Sequence, residues 1–130
     1  MAVASRAGRP RTLVALVDDD PSVRRALRRF LESAGFSVVT FTSGRQVLEG
    51  GLIPAAACLI VDVHLGDMDG FELKRSLTAA GVDVPLIFIT AHDDEPTKVS
   101  ARRAGAVAYL PKPIDGEALL EAIVRVIPDR

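Results

Sequence analysis

Thr12-Leu13-Val14-Ala15-Leu16-Val17-Asp18-Asp19-Asp20-Pro21 is the stretch in which this chain changes its hydrophobic period, and that change decides the class of fold. Thr12–Val17 reads as a buried strand, three carboxylates follow without a break, and Pro21 opens a helical pattern. In that pattern Val23, Ala26, Leu27, Phe30, Leu31 and Ala34 recur at spacings of three and four. Asp20 suits the cap of this helix and Pro21 its first position, while Gly35 suits its end. Arg24, Arg25, Arg28 and Arg29 lie off the apolar stripe and are expected to point outward.

Working outward, four more runs rich in β-branched and apolar residues follow: Ser37–Phe41, Ala57–Val61, Pro85–Thr90 and Val107–Leu110. Between and after them, helical patterns fall at 43–50, 69–80, 96–104 and 115–127. Strands alternating with helices build βαβ units and hence a parallel sheet. The runs at 57–61 and 85–89 are apolar almost throughout, as central strands covered on both faces must be. The predicted fold is α/β, a (βα)5 doubly wound sheet of five parallel strands in the flavodoxin-like order 2-1-3-4-5, with its cleft at the carboxyl ends of the strands.

Size and charge are consistent with one domain. The chain has 130 residues, nearly half hydrophobic and a quarter charged, enough to bury a core and remain soluble. Residues 1–11 carry Arg6, Arg9 and Arg11 and no acid, and are expected to be a flexible N-terminal tail preceding a domain over 12–130. Without those three arginines, 13 basic residues face 17 acidic ones, a net charge of -4 for the remainder. An acidic body argues against direct nucleic-acid binding, which needs a cationic face. The single cysteine, Cys58, has no partner for an internal disulfide. The longest apolar run, Leu52 to Val61, is broken by Pro54 and is too short for a membrane span, and arginines stand where the apolar core of a secretory signal would be. A cytoplasmic location is expected.

Six polar residues close the strands on one rim: Asp18, Asp19 and Asp20 after the first, Asp62 after the third, Thr90 after the fourth and Lys112 after the fifth. Taken singly, each acid could merely cap a helix or face solvent, and for Asp20 capping is the preferred reading. Together, carboxylates gathered on one rim repel one another and resist ionising unless a cation offsets them. Mg²⁺ fits, because it takes hard oxygen ligands and is commonly held by one or two carboxylates plus a phosphate. A carboxylate, a hydroxyl and an ammonium at three successive strand ends can hold a phosphoryl group.

In four segments the chain resembles the receiver domains of two-component response regulators, both the chemotaxis-regulator and the nitrogen-fixation-regulator kinds. These are Leu-Val-Asp-Asp-Asp-Pro-Ser-Val-Arg at 16–24, Val-Asp-Val-His-Leu-Gly-Asp-Met-Asp-Gly-Phe-Glu-Leu at 61–73, Phe-Ile-Thr-Ala-His at 88–92 and Ala-Tyr-Leu-Pro-Lys-Pro at 108–113. The resemblance implies a regulatory phosphoacceptor rather than an enzyme, with self-catalysed phosphotransfer and autodephosphorylation. Asp62 would accept a phosphoryl group from the phosphohistidine of a sensor histidine kinase or histidine phosphotransfer protein. Asp19 and Asp62 would bind Mg²⁺ directly (Mn²⁺ substituting), with the His64 backbone carbonyl, while Asp18 would act through water. Lys112 would pair with the phosphoryl group, Thr90 would hydrogen-bond to it, and Tyr109 would follow Thr90 inward as the switch. The family also implies a cis Lys112–Pro113 bond.

Some positions depart from the family or vary within it. Gly66 stands where a proline is usual, which predicts a more mobile loop after Asp62. The positions two residues after Asp62 and after Thr90 are both histidine, His64 and His92, and their imidazoles are expected either to tune the lifetime of the phosphorylated state or to be plain solvated side chains. In helix 96–104 Val99 is the one large apolar anchor, so this helix is expected to be the marginal element that reads out the switch. The last helix has an apolar arc wider than a sheet requires, Ala118, Leu119, Leu120, Ala122, Ile123, Val124, Val126 and Ile127, and part of it is expected to receive a homodimer partner or a downstream target. The rival from another class is an aspartyl-phosphate phosphatase of the haloacid-dehalogenase type, with Asp18 as nucleophile and Asp20 as general acid. A nucleotide or flavin carrier is disfavoured by the absence of a phosphate-binding glycine loop.

Overall fold

A computed structural model describes residues 12–51 and 53–127, so the expected tail at 1–11 lies outside the described residues. The strands are β1 (Leu13–Val17), β2 (Ser37–Phe41), β3 (Cys58–Asp62), β4 (Leu86–Thr90) and β5 (Ala108–Pro111). They alternate with α1 (Pro21–Ser33), α2 (Gly44–Gly50), α3 (Gly70–Ala79), α4 (Glu95–Arg103) and α5 (Gly116–Val126). All pairings are parallel, in the order β2-β1-β3-β4-β5. The predicted doubly wound fold is the observed one.

Strand period explains the layering, since alternate side chains of one strand face opposite sides of the sheet. Ala15, Val17, Leu59, Val61, Leu86 and Phe88 pack with Val47, Leu73, Leu77 and Ala101 of α2, α3 and α4. Val14, Leu16, Cys58, Ile60, Ile87 and Ile89 pack on the other side with Leu27 and Leu31 of α1 and Leu119, Ala122 and Ile123 of α5. Every residue of β3 and β4 is buried, which accounts for their unbroken apolar runs. Each fully buried Leu, Ile or Phe here contributes roughly 1.5–3 kcal/mol relative to leaving it in water.

Several details differ from the sequence reading. β3 and β5 run one residue further than expected, so Asp62 is the last residue of its strand and not the first after it. In α1 Ala26 and Ala34 are exposed and only Leu27 and Leu31 are fully covered, because one side chain per turn reaches the sheet and the short alanines sit at the margin. Arg24 does not point away. Its Nη1 donates to the Asp18 carbonyl at 2.8 Å. In α4 Val99 is only half-buried and Ala101 carries the contact with the sheet, so the helix is anchored by an even smaller group than expected. The last helix is shorter than 115–127, with Asp115 as its N-cap and Ile127 as its C-cap. A short 3-10 turn at Ile53–Ala55 precedes β3.

Gly70 fixes how closely α3 approaches the end of β3. A Cβ there would lie 3.0 Å from the Asp62 carbonyl oxygen, 3.0 Å from Phe88 Cε1 and 3.1 Å from Val61 Cγ1, while the Gly70 N–H donates to the Val63 carbonyl at 2.7 Å. Backbone oxygen cannot rotate away as a side chain would, so the helix itself must shift to admit a methyl. Gly70→Ala should therefore lower stability by about 1–3 kcal/mol, the usual penalty for overpacking. Urea unfolding measures this, and an unchanged midpoint would show that α3 is free to slide.

Candidate functional site

Register brings the site together. Val17 pairs with Val61, Asp62 with Ile89, and Thr90 with Pro111. Asp18, Asp62, Thr90 and Lys112 therefore stand at neighbouring strand ends. Asp18 is 0% exposed, Asp62 5% and Thr90 0%, the only polar residues with fully buried status among the described residues.

Each is held by backbone. The Asp18 N–H donates to the Phe41 carbonyl at 3.2 Å, and Asp18 Oδ1 accepts the Asp20 N–H at 2.9 Å. Asp62 Oδ1 accepts the His64 N–H at 3.0 Å, and its Oδ2 accepts Lys112 Nζ at 2.9 Å. Lys112 Nζ is also 2.9 Å from Asp18 Oδ2, so one ammonium bridges both carboxylates. That second contact is an ion pair without hydrogen-bond alignment, and it leaves Asp18 Oδ2 buried with no hydrogen-bond donor. The Lys112 N–H donates to the Thr90 carbonyl at 2.8 Å, and Thr90 Oγ1 accepts the His92 N–H at 2.9 Å. The Lys112–Pro113 bond is cis, as the sequence resemblance implied.

Asp19 is exposed, yet its carboxylate completes a cluster with Asp18 and Asp62 in which one oxygen from each lies within 4.8 Å of the others. Asp20 stands outside that cluster and caps α1, its Oδ1 accepting the Ser22 N–H at 2.9 Å. The capping role is the one preferred for Asp20 from sequence, and it differs from the general-acid role that the phosphatase reading gives it. Tyr109 is half-buried and its hydroxyl donates to the His92 carbonyl at 3.4 Å, which places it over the β4–α4 loop. Burial first, and the nearby Asp93 second, push its phenol up to about 12.

Two residues near the site could not be singled out from sequence. Asp67, in the loop after β3, reaches across to α2, where its carboxylate accepts the N–H of Gly44 at 3.1 Å and of Arg45 at 3.0 Å. Desolvation, the largest single influence, raises this carboxyl, but the N–H groups of Arg45, Gly44, Asp67 and Met68 together outweigh it and hold it below its usual value. The partners lie more than 20 residues apart in the chain, so no local pattern links them. Arg24 is the other, because its contact is with a backbone carbonyl. Gly66 has φ 89°, a left-handed conformation that the proline usual in the family cannot adopt. Asp67 ties the loop to α2, and the Met68 side chain packs tightly on Gly44.

The electrostatics fit a divalent cation. Three carboxylates face one ammonium, and the buried Asp18 Oδ2 has that ammonium at 2.9 Å but no aligned hydrogen-bond donor. Burial raises the Asp18 carboxyl above its ordinary 3.8, with the Asp20 N–H and Lys112 working against the rise and Asp62 adding to it. Burial would lower the Lys112 ammonium, but its bonds to Asp18 and Asp62 prevail and hold it above its usual value. An all-oxygen set of this charge suits Mg²⁺, with waters filling the remaining positions.

Comparison with known proteins agrees with this geometry. Residues 14–124 match the family model of the response regulator receiver domain. Nodulation protein W of Bradyrhizobium diazoefficiens is 38% identical over 114 residues, which cover 88% of this chain and 50% of that protein. The chain thus spans about half the length of this curated relative. Among solved structures, the response regulator StyR superposes with a TM-score of 0.81 at 45% identity, covering 90% of this chain and 59% of that one. The FixJ-N structure superposes at 0.80 with 35% identity, covering 91% and 94%.

The raised Asp18 carboxyl has a sign that can be tested. An acid whose folded pKa is raised contributes stability below its unfolded pKa, and that contribution is lost as pH rises through the folded value. In the absence of divalent cations Asp18→Asn should therefore be more stable than wild type near neutrality. The gain should vanish on acidification below 3.8. Denaturation across pH checks this, and a loss of stability at neutrality would contradict it.

Proposed function

This chain belongs to the receiver-domain family of two-component response regulators, and from that premise we propose that Asp62 is the residue it phosphorylates. The observation that carries the proposal is the position of Asp62 at the buried end of the central strand, with Lys112 Nζ 2.9 Å from its Oδ2. The domain is taken as residues 12–130, preceded by the tail at 1–11.

The chemistry follows from the bonds already made. The His64 N–H and Lys112 hold the two Asp62 oxygens in a fixed orientation, so attack needs little reorganisation. One Asp62 oxygen forms a bond to phosphorus as the bond from phosphorus to the imidazole nitrogen of the donor phosphohistidine breaks, and the pair of electrons leaves with that nitrogen. Asp19, Asp62 and the His64 carbonyl would hold Mg²⁺ (or Mn²⁺), with Asp18 acting through water, and the bound ion would supply positive charge to offset the phosphoryl oxygens. Lys112 then pairs with a phosphoryl oxygen. Thr90 Oγ1, which accepts the His92 N–H, keeps its own proton to donate to another. Drawing Thr90 toward the phosphoryl group loosens the His92 segment on which the Tyr109 hydroxyl rests, and α4, held mainly by Ala101, is free to adjust.

The phosphodonor partner is a sensor histidine kinase or a histidine phosphotransfer protein. The output surface comprises α4, β5 and α5, for a second copy or a downstream protein. On α5 the covered side is Leu119, Ala122 and Ile123, and Val124 is left 56% exposed beside Leu120. The domain works in the cytoplasm, makes no direct nucleic-acid contact and is a regulatory phosphoacceptor, not an enzyme with a separate substrate. Among the described residues no helix is long and apolar enough to cross a membrane.

Incubation with a small acyl phosphate and Mg²⁺, followed by peptide mapping of the acylphosphate, tests the assignment. Label is expected on Asp62 and none on Asp62→Asn, whereas label on Asp18 would overturn it. On the same labelled protein, His64→Ala and His92→Ala should change the rate of dephosphorylation several-fold, and unchanged rates would remove both imidazoles from the control of lifetime.

A further inference from the structure

His64 and His92 are the only two histidines in the chain, and the fold sets them against each other. One lies two residues beyond β3 and the other two residues beyond the adjacent β4, both exposed. Their ring centroids are 4.4 Å apart, with the planes tilted by 55°. Two imidazoles facing each other at the surface bury little apolar area, so packing alone is a weak reason for the pairing. Negative charge lies close by. Asp94 caps α4 through the Thr97 N–H at 2.9 Å, and after that residue's hydrogen bonds the two imidazoles also help to hold its carboxyl below the usual range.

We propose that His64 and His92 together bind one borderline transition-metal ion of the Cu(II) or Ni(II) kind, at the mouth of the Asp62 cleft. A metal–imidazole bond is about 2.0–2.1 Å long, and rings whose centroids are 4.4 Å apart are near enough to share one ion. Among divalent first-row ions, nitrogen ligands bind Cu(II) most tightly, and Ni(II) precedes it in the same series. Both side chains are exposed, so their nitrogens can turn toward a common point, with water completing the coordination. The site differs in kind from the neighbouring carboxylate cluster. Imidazole nitrogens favour late first-row ions, and the all-oxygen cluster favours Mg²⁺. If Asp62 is the phosphoacceptor, an ion held between the two rings stands in the approach of a donor phosphohistidine and slows transfer. That consequence rests on the proposed function, but the binding does not.

The test is calorimetric titration of Cu(II) into protein without a polyhistidine tag, in saturating Mg²⁺ so that the carboxylate cluster is filled. One equivalent is expected to bind to wild type, with affinity falling on the order of tenfold or more in His64→Ala and in His92→Ala. Electron paramagnetic resonance of the wild-type complex should show two equivalent imidazole nitrogens. Far-UV circular dichroism checks that the variants remain folded. Retained affinity in the double variant, a spectrum with only oxygen ligands, or no binding at all would each overturn the proposal. Since no phosphodonor is present, such a failure leaves the role of Asp62 untouched.

Discussion

Two buried carboxylates, Asp18 and Asp62, share a single ammonium, and the arrangement of the functional end of the molecule depends on that sharing. Burying one carboxylate costs several kcal/mol unless charge and hydrogen bonds compensate it, and burying two side by side adds repulsion. Lys112 answers part of the demand and N–H groups from Asp20 and His64 answer more. Asp18 Oδ2, 2.9 Å from the Lys112 ammonium, still lacks an aligned hydrogen-bond donor. Such a site is strained without an added cation and complementary to one when it arrives.

The parallel sheet makes this possible. With every strand running the same way and all carboxyl ends on one rim, residues as far apart in sequence as Asp18 and Lys112 meet without any long loop to hold them. The two apolar layers fix the strands in register, and Gly70 lets α3 close on the end of β3. Stability elsewhere in the fold is thereby spent on holding together groups that would separate in water. Control sits on the softer ground nearby: Thr90 and Tyr109 both engage the segment at His92, and α4 beyond it has a small anchor.

The sheet order, the five helices and the residues of the rim were legible in the sequence, because each depends on short-range patterns. Unbroken apolar runs mark β3 and β4, the 3–4 spacing marks α1, and charged or hydroxyl residues close the strands. What was not legible depends on tertiary approach. The bond from Arg24 to the Asp18 carbonyl and the reach of Asp67 to the start of α2 join partners that no local spacing connects. The glycine at 66 was visible, but its left-handed φ was not. The pairing of His64 with His92 is of the same kind, since it follows from β3 and β4 being neighbours.

The rim of the sheet carries an excess of negative charge suited to a cation, and stability as a function of Mg²⁺ measures that most directly. Binding to the folded state alone raises stability by RT ln(1 + [L]/Kd). The unfolding midpoint of the wild-type protein at neutral pH should therefore rise steadily with the logarithm of Mg²⁺ concentration once the site begins to fill. The rise should be absent in Asp19→Asn, Asp62→Asn double-substituted protein. A wild-type midpoint indifferent to Mg²⁺ would contradict the claim that these carboxylates form a cation site.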